Sequence, residues 1–142
     1  MAQTIALVSC VKVKRPHSCR AADLYVSPLF LKMRSFAERH ADRWFVLSAK
    51  YGLVDPESVI APYEQTLNAA GVRERRAWAA RVYGQMESAC LFTPGTSFLW
   101  LAGAKYKEHL SQLLRHHHQH DPLVGKKIGE RLSWLNAALR HP

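Results

Sequence analysis

Three apolar runs in this chain end in the same way, in small residues followed by a lysine. The first closes as Ser9-Cys10-Val11-Lys12, the second as Ser48-Ala49-Lys50-Tyr51 and the third as Ala102-Gly103-Ala104-Lys105-Tyr106. Small residues such as Ser9, Ser48, Gly52 and Gly103 let a ligand come close to the main chain. Lys12, Lys14, Lys50 and Lys105 are cations of the kind that hold phosphate. Tyr25, Tyr51 and Tyr63 lie in the same stretches, as do the carboxylates Asp23, Asp55 and Glu64. An aromatic ring stacks on a base taken out of its helix, and a carboxylate activates water or stabilises positive charge growing on a sugar. The combination predicts a phosphate-binding edge formed by Ser9, Lys12, Lys14, Ser48, Lys50 and Lys105. Beside it, a base pocket is expected from Cys10, Tyr25, Tyr51, Gly52, Tyr63 and Gly103. Asp55, then Asp23, then Glu64 are the candidate catalytic acids.

Each residue also has an ordinary reading. Asp55-Pro56 is a common turn former, and Asp23 can cap a helix. Cys10 is a nucleophile if Lys12 lowers its pKa, or else a small buried residue. A lysine such as Lys12 or Lys50 forms a Schiff base only when desolvated, so phosphate contact is its default. The tract Arg115-His116-His117-His118-Gln119-His120 puts His116 and His120 one turn apart if it is helical, a spacing that zinc accepts. Cationic histidines late in a helix also complement its dipole. No acidic or cysteine partner is spaced nearby, and neither metal nor cofactor is expected.

These residues must be carried by secondary structure. Residues 4–9, 44–49 and 97–102 are short apolar runs, suited to strands buried on both faces of a parallel sheet. Between them lie helical stripes. Ser27-Pro28 is a helix start, followed by Leu29, Phe30, Met33, Phe36 and Ala37 on one face. Further stripes cover residues 72–90, 104–117 and about 128–140. The alternation predicts one α/β domain over residues 1–142, a three-layer α/β/α sandwich with a small parallel sheet of three to four strands. Ligands of such sheets bind beyond the carboxyl ends of the strands, which is where the lysines fall. The two long segments at 10–26 and 50–66 read as loops, and loops of that length tend to be functional.

Composition narrows the partners. Twenty Lys and Arg against eleven Asp and Glu give a net charge of +9, which favours nucleic acid. No apolar stretch of about 18 residues is present, so no membrane span is expected. The first apolar run has no basic leader before it and reads as a strand, not a signal peptide. Three unpaired cysteines suit a reducing cytoplasm. A Gly-x-Gly-x-x-Gly turn, a P-loop, a Gly-x-Ser-x-Gly elbow and a Cys-x-x-Cys pair are all missing, which argues against dehydrogenases, P-loop NTPases and zinc ribbons.

Several motifs together carry a family resemblance. They are Leu7-Val8-Ser9-Cys10-x-Lys12-x-Lys14, Leu24-Tyr25-x-Ser27-Pro28-Leu29-Phe30, Leu47-Ser48-Ala49-Lys50-Tyr51-Gly52-Leu53-Val54, Ala61-Pro62-Tyr63 and Ile128-Gly129-Glu130-Arg131-Leu132. Over nearly the whole chain they resemble a bacterial and phage family of small proteins known only as a domain of unknown function. That family is similar to the peroxide-stress, DNA-binding YaaA proteins, and more distantly to the archaeosine-synthase lysine-transfer domain and uracil-DNA-glycosylase-like folds. The resemblance implies a protein that handles modified bases. Its sharpest form is an anti-phage DNA glycosylase removing glucosylated hydroxymethylcytosine. This sequence lacks the helix-hairpin-helix insertion of YaaA and has Asp55 where the YaaA loop is basic. The expectation is therefore a cytoplasmic, monomeric N-glycosylase acting on a modified pyrimidine flipped from double-stranded DNA. The rival readings are a non-catalytic DNA- or RNA-binding protein and a lysine-dependent base transferase on RNA.

Overall fold

The computed structural model describes residues 2–9 and 14–140. Its centre is β1 (Gln3–Ser9), where Ile5, Ala6, Leu7 and Val8 are all fully buried. Consecutive residues of a strand point to opposite faces, so burial of all four requires cover on both sides. After β1 come a two-residue strand β2 (Cys19–Arg20) and one helical turn α1 (Ala21–Leu24). Helix α2 (Pro28–His40) starts as the sequence predicts, with Pro28 in the first turn and the Ser27 hydroxyl accepting the Phe30 N–H at 3.1 Å. Strands β3 (Arg43–Ser48), β4 (Gly52–Val54) and β5 (Val59–Ile60) follow. A short 3-10 turn at Leu67–Ala69 then leads into α3 (Val72–Ser88). The chain closes with β6 (Thr96–Leu101), α4 (Ala104–Leu113), β7 (His118–His120) and α5 (Ile128–Leu139).

The main sheet has the order β4-β3-β1-β6-β7. β3, β1, β6 and β7 are parallel to one another, and β4 is antiparallel to β3. Helix α2 packs on β1 and β3 and against α5, while α3 packs on α4 and β4. This is the expected α/β sandwich, with helices on both sides of a mostly parallel sheet. The antiparallel strand is the departure, and it comes from a segment that reads as loop. The β3–β4 hairpin closes with Ser48 opposite Gly52. The Ser48 hydroxyl accepts the Tyr51 N–H at 3.0 Å. Gly52 has φ of 78°, the left-handed region that suits glycine in a tight connection.

The histidine tract is a second correction. Helix α4 ends at Leu113, and residues 118–120 form the edge strand β7. The Gln119 amide explains this. Its oxygen accepts the Trp100 indole N–H at 2.8 Å, and its nitrogen donates to the Ser111 and Leu114 carbonyls at the end of α4. His116 and His120 therefore do not share a helical face, and His117 stacks on Phe92 at 4.8 Å. Among the described residues no group of three or more His, Cys, Asp or Glu side chains is placed to hold a metal ion.

Candidate functional site

The chain leaves β1 toward β3 on one side and later enters β6 on the other. The carboxyl ends of β1 and β6 thus define a topological switch point, where connections diverge and leave a crevice. Ser9 ends β1, and its hydroxyl accepts the Gly103 N–H at 3.0 Å, stitching the two strand ends together. Beside this stitch is a cleft of about 270 Å³. Ser9, Gly103, Lys105 and Tyr106 line it from the strand ends and α4, and Lys126, Lys127 and Arg131 line it from the entrance to α5. Leu29 and Met33 of α2 add apolar surface, and no Asp or Glu is among its lining residues. Two helices begin here, α4 after Gly103 and α5 after Lys127. Their positive dipole ends add to four cationic side chains. Arg131 is fixed by donating from Nε to the Lys126 carbonyl at 2.9 Å. The cleft is thus basic, with four cationic side chains and two helix N-termini at its walls.

A second cavity, of about 540 Å³, opens on the α3 side. Ala49, Glu64, Glu74, Trp78 and Arg81 are among its walls. The 3-10 turn is the ridge between the two hollows, with Leu67 facing this one and Asn68 the basic cleft. Beneath the ridge, the Trp78 and Tyr106 rings meet edge to face at 5.6 Å. Arg75 braces the ridge, donating to the Ala70 carbonyl at 2.6 Å and to the Glu108 carboxylate at 2.6 Å. The Arg75 hydrogen bond holds the Glu108 carboxyl below its ordinary pKa.

The sequence-predicted residues divide among these places. Lys105 and Gly103 sit at the basic cleft, together with Ser9, whose hydroxyl is committed to Gly103. Lys12 and Cys10 lie outside the described residues. Tyr25, Tyr51 and Tyr63 do come together. The Tyr25 and Tyr63 hydroxyls are 2.6 Å apart, and Tyr51 meets Tyr63 edge to face at 5.5 Å. The Lys14 ammonium lies 4.6 Å from the Tyr63 ring centre, and that of Lys50 lies 5.3 Å from Tyr51. Tyr25 and Tyr63 are buried, however, so their rings pack under the edge and offer no open face to a base. Ser48 is fully buried and bonded to Tyr51. Gly52 is buried against α3, where a Cβ would run into the Gln85 amide. Neither residue lines the basic cleft or the α3-side cavity.

The three carboxylates have different surroundings. Asp55 follows Val54, which pairs with Val46, two residues back from the end of β3. Its Oδ1 accepts the Glu57 N–H at 2.8 Å, so it shapes its own turn. Asp23 receives Arg20 Nε at 2.8 Å and an Arg34 nitrogen at 3.1 Å. Those bonds, Arg20 first and Arg34 next, lower its pKa. Arg20 also grips both Glu57 oxygens at 2.8 Å, tying the segment after β4 to α1. Of the three, Glu64 lines the α3-side cavity, and neither Asp55 nor Asp23 lines that cavity or the basic cleft. Sequence reasoning missed Lys126, Lys127, Arg131 and Glu74. The available signal was the Lys126-Lys127 pair directly before a helix start, since a basic loop feeding a helix N-terminus is a phosphate-site pattern.

Fold and site together define an α/β sandwich with a basic crevice at its switch point. The chain belongs to the Family of unknown function (DUF6884), whose model matches residues 5–137. It is similar to the Uncharacterized protein YfjM of Bacillus subtilis (strain 168), 28% identical over 129 residues, a match covering 84% of this chain and 80% of that protein. No solved structure matches it. Among the described residues no helix is long and apolar enough to cross a membrane.

Proposed function

We propose that this protein binds DNA through the phosphates flanking one nucleotide and hydrolyses that nucleotide's N-glycosyl bond, releasing a modified pyrimidine. The observation that carries the binding half is the switch-point cleft, where Lys105, Lys126, Lys127 and Arg131 converge with no acid among the lining residues. A phosphate seated there would lie one ridge away from Glu64. In the reaction, the bond from the sugar C1′ to the base nitrogen breaks and its electron pair leaves with the base. Water bonds to C1′ and gives one proton to the Glu64 carboxylate, the departing base takes a proton from solvent, and Glu64 is restored by releasing its proton to solvent. The negative carboxylate also stabilises the positive sugar of the transition state. The resemblance to YaaA-like DNA-binding proteins and to phage-defence glycosylases supports the same substrate class, and with it a monomer working in the cytoplasm.

A specific observation favours a second reading, a nucleic-acid-binding protein without catalysis. Asp55 and Asp23 both have structural tasks and line neither the basic cleft nor the α3-side cavity, which leaves Glu64 as the one of the three beside them. The test is incubation with DNA carrying unmodified, hydroxymethylated or glucosylated hydroxymethylated cytosine. Released base and abasic sites are assayed, and binding is measured separately. Base release that Glu64→Gln abolishes supports the glycosylase. Tight binding with no release from any of these DNAs leaves the binding protein.

A further inference from the structure

The segment between β7 and α5 holds two large aliphatic side chains in water. Val124 is 68% exposed and Ile128 is 66% exposed, while Leu123 between β7 and Val124 is buried at 1%. A loose loop would expose such residues by chance, but this one is pinned. The Asp121 carboxylate receives the Lys107 ammonium at 2.7 Å and the Leu123 N–H at 2.8 Å. The Lys126 N–H returns to the Leu123 carbonyl at 3.1 Å, closing a turn with Gly125 at φ of 73°. On the far side, Arg131 holds the Lys126 carbonyl and the Glu130 carboxylate accepts the Lys127 N–H at 3.0 Å. The turn therefore projects Val124, Lys126, Lys127 and Ile128 from a fixed base.

It also stands between two hollows. Lys126 and Lys127 line the basic cleft, together with Ile128, and they line a groove along α5 that includes Ser133, Trp134 and Glu130, whose carboxylate is held on the Lys127 N–H. A ridge carrying aliphatic tips beside paired lysines needs an occupant that is apolar where the tips enter and anionic on either side. A base stack flanked by its phosphates has that pattern. The core of a protein interface selects against lysine.

We propose that residues 123–128 form a wedge that enters the base stack of duplex DNA, Val124 and Ile128 between bases and Lys126 and Lys127 on the adjoining phosphates. The proposal rests on the reading of the switch-point cleft as a phosphate site. The wedge fills space left by a nucleotide drawn toward the cleft and so makes duplex DNA accessible to a site that could otherwise use only single strands.

The test uses a duplex containing hydroxymethylcytosine with 2-aminopurine as its neighbour, and the matching single strand. Stacking quenches 2-aminopurine, so the parent protein should raise its fluorescence on the duplex. The variant Val124→Ser should bind the single strand within about twofold of the parent, bind the duplex about tenfold more weakly, and lose the fluorescence rise. Ile128→Leu should keep it. Both changes are at exposed positions, and unchanged circular dichroism and melting temperature confirm folding. If the serine variant unstacks the duplex as the parent does, the wedge is wrong and the cleft reading stands. Equal weakening on both strands also overturns the wedge, because the turn is then a general contact. If the serine change instead abolishes cosedimentation of the protein with phosphatidylserine vesicles and leaves duplex unstacking intact, the turn is a membrane contact. A parent that binds neither strand overturns the cleft reading and the wedge together.

Discussion

Removing charge from the switch-point cleft has a calculable signature. Lys105 and Lys127 both line the cleft and are exposed, so Lys105→Gln/Lys127→Gln removes two cations and leaves packing alone. Each phosphate contact on duplex DNA contributes about −0.9 to the slope of log affinity against log salt. If all four cleft cations engage phosphate, a rise from about 50 to about 200 mM salt weakens the parent about 150-fold. With two contacts left, the same change costs the variant only about 12-fold. Fluorescence anisotropy of a labelled duplex across that salt range measures both slopes. Arg43 supplies the control. It is exposed and begins β3 at the opposite edge of the sheet, so Arg43→Ala should leave the slope unchanged. A double variant with the parent's slope refutes the phosphate assignment, even if its affinity at one salt concentration has fallen. A slope change as large in Arg43→Ala would mean that net charge, not the cleft, sets binding.

Three further outcomes follow from particular contacts. Glu64→Gln should retain DNA affinity and lose base release by at least about 100-fold, the scale of a lost acid–base group, measured by abasic-site formation. Ser9→Ala leaves the Gly103 N–H without its partner at the switch point; urea melts should show a loss of about 1–2 kcal/mol, with weaker DNA binding than the stability change explains. Asp23→Asn tests the arginine clamp: a folded pKa below the usual 3.8 means the carboxylate stabilises the protein above that pH and ceases to do so as pH falls through the folded value. Its carboxylate is partly exposed, so the loss at neutral pH should be about 1 kcal/mol or less, and the difference between parent and variant should close on acidification in thermal melts.

The parallel strands and their helices could be read from the sequence because burial on both faces writes continuous apolar runs, such as Ile5-Ala6-Leu7-Val8. Ser27-Pro28 marked a helix start through a local rule that tertiary contacts did not override. Strands β4 and β7 were beyond that reach. With three residues each they show no periodicity, and β7 is His-Gln-His, with Gln119 anchored by amide hydrogen bonds in place of apolar contact. The lysine at the third strand end, Lys105, lies at the basic cleft. The rest of the cleft comes from residues 126–131, more than twenty positions later in the chain, and only the packing of α5 against α2 brings them there.

The carboxylates show why proximity in sequence is a poor guide to a shared site. Asp55 ranked first because it lies five positions after Lys50, yet β4 runs antiparallel and carries the chain back from the edge before Asp55 is reached. Glu64 lies farther along, after the chain has returned to set Tyr63 against Tyr51. The excursion between them is held by Arg20, which binds Glu57, and by Asp23, which binds Arg20 and Arg34. Asp23, after the first strand, and Asp55 and Glu57, after β4, thus hold the segment that precedes Glu64. Under the proposed glycosylase reading the Arg20 network is a positioning device that acts through the placement of residues 61–66. Weakening it should disturb base release before it disturbs phosphate binding, because the four cations of the basic cleft stand on α4, α5 and the turn before α5, none of which Arg20 touches.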